Sequence, residues 1–158
     1  MSRPNVVPGD PSHVSVDAGR LWTGGLATAC VAALTAWVGV LLAQGVLDVS
    51  LAKTAVVLGV SDSLGLNYAV TAFLAALAAT GLAHLLSVTT PRPRSFFSWI
   101  VGLVTAAAMI LPFTRDGATA SRVAASIINL VIGVCIGSLL TAVLSRTVVD
   151  PERSWQRR

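Results

Sequence analysis

His84 is the one ionisable residue set inside an apolar stretch of this chain. In hydrocarbon such a residue marks a proton path or a ligand contact unless it is bonded locally. Proton coupling needs a carboxylate at similar depth, and every Asp and Glu lies outside the apolar runs. A neutral imidazole bonded to a backbone carbonyl or a headgroup is therefore the reading adopted. Cys30 and Cys135 also lie within apolar runs, each about nine residues from the same face, or ~13 Å at helical rise. Equal depth permits a disulfide, which needs Cα atoms within about 7 Å. Two small apolar packing residues account for them as well.

The strongest spacing signal is Asn129, Gly133, Gly137 and Thr141, which recur every four residues and so share one helix face. Gly133 and Gly137 form a GxxxG pair, which lets two backbones approach closely where lipid offers helices no hydrophobic reason to associate. Asn129 on that face is placed to hydrogen-bond a neighbouring helix. Packing within the chain, a homodimer face and a ligand contact all fit, and packing within the chain is the expectation. No HExxH, CxxC, phosphate loop or GxSxG occurs, and no Ser, His and acid share one depth. Intramembrane catalysis needs such a nucleophile, carboxylate or metal set. The expectation is a protein that is not an enzyme, with no cofactor and no metal.

These residues must be positioned by elements of an unusual composition. The chain is 54% hydrophobic and 11% charged, with a mean hydropathy of +0.78. Soluble domains carry about 25% charged residues. Helices that are apolar all round belong in a core or a bilayer, and about 20 apolar residues cross a ~30 Å hydrocarbon layer. Four runs qualify, at about 21–46, 67–88, 96–113 and 123–144. They are too long and too rich in Ala and Leu for membrane strands. This predicts an all-α membrane protein, an up-down four-helix transmembrane bundle over residues 20–145. Small faces favour tight packing: Gly25, Ala29, Ala32, Ala33 and Ala36 in the first helix, and in the second the ridges Ala72, Ala76, Thr80 and Ala75, Ala79, Ala83.

Residues 1–19 are polar and proline-punctuated, a predicted disordered cytoplasmic tail. The first run is too long for a signal-peptide core, although small-residue triplets leave cleavage as an alternative. Residues 48–66 include the short apolar patch 55–60 and predict an outer loop folded over the bundle. Pro91 and Pro93 make a stiff basic turn between the second and third helices. Residues 146–158 form a basic cytoplasmic tail that enforces topology, with headgroup binding by Trp155 and its arginines as the alternative.

Basic residues accumulate on the cytoplasmic side of membranes. Arg3, Arg20, Arg92, Arg94, Arg146, Arg153, Arg157 and Arg158 fall on one face of the four spans, and Lys53, Arg115 and Arg122 on the other. Both termini are thus expected in the cytoplasm. Trp22, Phe96, Phe97 and Trp99 fit an inner interfacial belt, and Tyr68 and Phe113 mark the outer ends. The net charge of +4 is explained by these flanks, so nucleic acid is not an expected partner. The heavy use of Arg, Ala, Val and Gly suggests a high-GC bacterium.

The segments 21–29 (LWTGGLATA), Pro91-Arg92-Pro93-Arg94 with Phe96-Phe97-Ser98-Trp99, Leu111-Pro112-Phe113 and Arg122-Val123-Ala124 resemble a family of small four-span actinobacterial membrane proteins of unknown function. The resemblance covers about residues 20–145 and implies four helices in the plasma membrane. It implies no activity and carries over no functional residues. The expectation is a structural or partner-binding membrane protein, its partners being membrane lipids and either a second copy or another membrane protein. A small oligomeric transporter or channel is the alternative.

Overall fold

A computed structural model describes residues 18–46, 48–49, 51, 62–90, 92–114 and 116–147, with the side chains of residues 146 and 147 excepted. The predicted tails at 1–17 and 148–158 and the centre of the outer loop, 52–61, lie outside the described residues. Four helices run in sequence: α1 (Ala18–Gly45), α2 (Leu64–Thr89), α3 (Pro93–Ile110) and α4 (Thr119–Thr147). A single 3-10 turn, Leu111–Thr114, follows α3. All four helices are long and apolar enough to cross a membrane.

The helices outrun the apolar stretches that predict them. Residues 64–66, expected in the outer loop, belong to α2. Ser63 caps that helix, its Oγ accepting from the Leu66 N–H at 3.1 Å. Residues 18–19 likewise belong to α1, and 146–147 to α4. Hydropathy reports which residues lipid can surround, whereas a helix continues until its end groups find caps. After α1, Asp48 takes a left-handed backbone (φ 50°), and the Val49 N–H reaches back to the Ala43 carbonyl at 3.0 Å. Asp is one of the few residues with a side chain that tolerates this region. Leu51, a described residue beyond this turn, belongs to the core cluster.

Around the bundle, α1 packs on α2 and α4, and α4 packs on α3. The α2–α3 seam is sparse although only residues 90–92 join these helices. α2 and α4 meet on the diagonal, while the backbones of α1 and α3 stay apart among the described residues. Thr90, pushed into extended backbone ahead of Pro91, ends α2. Pro93 then starts α3 at a position where no intrahelical N–H is needed.

The core is graded along its length. At the end that carries the termini, Leu21, Phe97, Leu140 and Leu144 are fully buried. In the middle it narrows to Ala29, Ala32, Ala36, Ala72 and Ala76. Two aromatics expected at the interface turn inward instead: Phe97 is wholly buried and Tyr68 nearly so. Trp22, Phe96, Trp99 and Phe113 remain exposed. A helical phase of 100° per residue separates Phe96 from Phe97, and Phe97 is the one that faces the core.

Candidate functional site: the α3–α4 seam and the cleft beside it

The four residues singled out on α4 do not share one environment. Gly133 faces Thr105 of α3 so closely that a Cβ there would collide with the Thr105 side chain. A Cβ on Gly137 would lie 3.2 Å from Val101 Cγ1. The GxxxG pair thus seats α3 within this chain. Asn129 sits one turn further along, and its Nδ2 donates to the Ala108 carbonyl at 2.7 Å. Thr141 is half-buried near the termini end. A parallel close approach occurs across α1: Gly25 has no room for a Cβ beside Thr80, and one on Gly24 would lie 2.8 Å from Val143.

The bond from Asn129 has a cause in the sequence of α3. In an α-helix the Ala108 carbonyl would accept from the N–H of residue 112, but residue 112 is proline and has none. The chain tightens into the 3-10 turn at Leu111, so the Met109 carbonyl also loses its α-helical donor at residue 113. Ser126 Oγ donates to it at 2.9 Å. Two carbonyls freed by one proline are thus met by two side chains one turn apart on α4. In lipid, where water cannot substitute, such groups must be met inside the protein. The presence of Ser126 in this pair escaped sequence reasoning. Its spacing of three from Asn129, opposite Leu111-Pro112, was the available signal.

Most remaining hydroxyls in the spans bond within their own helices. Thr28, Thr71, Thr80 and Thr105 each donate to the carbonyl four residues earlier. His84 is half-buried, and its Nδ1 is enclosed without a hydrogen-bond partner among the described residues; the expected carbonyl bond is absent at that atom. Cys30 and Cys135 are free thiols, and Cys30 is exposed on the outer surface of α1 rather than packed. No group of three or more metal-binding side chains occurs among the described residues.

Where α2 and α3 fail to close, a cleft of about 390 Å³ opens, walled by α2, α3 and α4. Ala75 and Ala79 of the second small-residue ridge of α2 face this space, while its third member, Ala83, is fully buried; of the first ridge, Ala72 borders the cleft, and Ala76 and Thr80 are fully buried away from it. Val104 and Thr105 line it from α3 and Gly133 from α4. Small side chains on one wall and β-branched ones on the other leave the gap unfilled.

Four apolar helices, each long enough to cross a bilayer and brought together by small-residue contacts, define a multi-pass helical membrane protein. A family of unknown function, DUF6069, matches residues 16–146, and the chain belongs to it. No curated protein and no solved structure matches the chain.

Proposed function

We propose that this protein is a non-enzymatic, partner-binding bundle of the bacterial plasma membrane, of actinobacterial origin, with both termini in the cytoplasm. The partner, a second membrane protein or a second copy, meets it along α3. The observation that carries this reading is the way α3 is held. It packs extensively on α4 alone, stands away from α2, and has only one fully buried side chain, Phe97. Its outward face carries Trp99, Leu103 and Ile110, exposed at 71%, 66% and 63%. A helix held on one side gains van der Waals contact from a neighbouring helix on the other, which is what drives association in lipid.

A photoreactive residue placed at Leu103 in cells tests this against the same residue at Leu34, which is as exposed but on α1. A discrete protein adduct from position 103 and none from position 34 is expected. No adduct at 103, together with a strictly monomeric protein in mild detergent, would overturn the reading. Solute or ion flux in proteoliposomes, abolished by Asn129→Leu or His84→Leu, would replace it with a transporter.

A further inference from the structure

We propose that the cleft between α2, α3 and α4 is a binding site for a single acyl chain of a bilayer phospholipid. This rests on the bilayer setting of the bundle and not on the partner reading. The cleft is lined from Tyr68 to Leu82 along α2, a length of about 21 Å at 1.5 Å per residue. Spread over that length, its volume of about 390 Å³, the room open to atom centres, describes a half-open groove about 7–8 Å from wall to wall once a ~1.4 Å radius is added on each side. Carbon atoms pack at 3.5–4.0 Å, so an extended hydrocarbon chain is about 4–5 Å thick. A helix with its side chains is about 10 Å thick and does not enter.

The lining sets the chemistry. The walls are overwhelmingly apolar, and within them the Thr71 hydroxyl donates to the Asn67 carbonyl, that of Thr105 to Val101, and Asn129 Nδ2 to Ala108. Water held in a cavity needs two to four polar partners, and walls this predominantly apolar suit hydrocarbon better. An empty space of this size forfeits contacts along every wall. Ala75, Ala78 and Val104 are exposed at the mouth, so a lipid chain slides in sideways from the bilayer. The Tyr68 end lies toward the face opposite the termini, and the cleft runs about two-thirds of a ~30 Å hydrocarbon core. The chain therefore enters from that leaflet and extends past the midplane.

The full-length protein is reconstituted in phosphatidylglycerol and phosphatidylethanolamine vesicles doped with phosphatidylglycerol bearing a diazirine in its acyl chain. After illumination, labelled residues are mapped by mass spectrometry. Label at Ala75 and Val104 is expected several-fold above that at Leu26 and Leu41, which are exposed on α1. Ala75→Phe with Ala79→Phe, which fills the cleft, brings it down to the α1 level while leaving Leu26 and Leu41 unchanged. Equal label on cleft and α1 in the unaltered protein overturns the proposal whether or not the filled variant folds. So does label that survives the filling. A polyprenyl phosphate probe run in parallel overturns the acyl-chain assignment if it labels the cleft in preference to the phospholipid. Recovery of the protein without detergent in the soluble fraction would remove the bilayer setting itself, a result distinct from equal labelling.

Discussion

Asn129 on α4 donates through Nδ2 to the backbone carbonyl of Ala108 on α3 at 2.7 Å, and Ala108 is the residue whose own helical donor is lost to Pro112. A helix break and its repair thus lie on different elements, 21 residues apart in the chain. Ser126 does the same for Met109. The pair ties the far end of α3 to α4, on the one side where α3 is held.

Asn129→Leu leaves the Ala108 carbonyl unmet in a low-dielectric setting and lowers bundle stability by about 1 kcal/mol. Pro112→Ala restores an N–H that can bond Ala108 within the helix. The cost of Asn129→Leu is then smaller in a Pro112→Ala background than alone. Denaturation in mixed micelles, followed by helical circular dichroism for all four members of the cycle, measures this coupling. Additive losses would show that the two positions are independent.

Gly133→Ala forces α3 away from α4, because the new Cβ meets the Thr105 side chain. A loss of about 1–3 kcal/mol is expected, as for overpacking in other well-packed interiors. Thr105→Ala in the same chain removes the colliding Oγ1 and Cγ2 and recovers part of it. Gly81 has open space around its Cβ position, so Gly81→Ala gains up to about 1 kcal/mol from helix propensity alone. Opposite signs for two Gly→Ala changes in one bundle, read from unfolding midpoints, check the seam.

Cys30 faces outward on α1, and both thiols are free. Mobility on a non-reducing gel stays unchanged after oxidant treatment of membranes. Both cysteines remain open to alkylation once the protein is denatured. A faster-migrating oxidised species that dithiothreitol abolishes would contradict the packing described for α1 and α4.

The arginine asymmetry predicts orientation. A fluorescent protein fused after Arg158 fluoresces, and alkaline phosphatase in that position stays inactive. Phosphatase inserted between residues 115 and 118 is active. Replacing Arg92 and Arg94 with glutamine weakens the bias at the middle loop and raises the misoriented fraction, because positive charge near span ends sets topology. The reverse pattern of reporter activities would invert the bundle.

How much of this was legible in the residues differs by feature. Four spans and their helical character follow from length and hydropathy, because lipid admits few alternatives. The every-fourth-residue pattern from Asn129 to Thr141 marked a face of α4, and the alternation of Ala72, Ala76, Thr80 with Ala75, Ala79, Ala83 marked two ridges on α2. Neither pattern says which neighbour takes which ridge. Hydropathy also carries little helical phase in α1, α2 and α4, since apolar residues surround each of them, whereas α3 is more one-sided. The expectation for Tyr68 and Phe97 rests on their distance from the span ends alone, which says nothing of the direction they face, and both are buried.

The sequence by itself determined the solvent and the secondary structure: too few charges for water, and apolar runs long enough to cross a bilayer only as helices. Only the tertiary structure decided how these helices divide their surfaces. It seats Gly25 of α1 against Thr80, gives Gly133 and Gly137 to α3, and leaves Ala75 and Ala79 facing a cleft. The reason is that lipid and protein interiors are alike in polarity, so burial in lipid cannot tell one apolar face from another. Close steric fit and the few carbonyls freed by Pro112 make that choice, and both exist only once the helices are side by side.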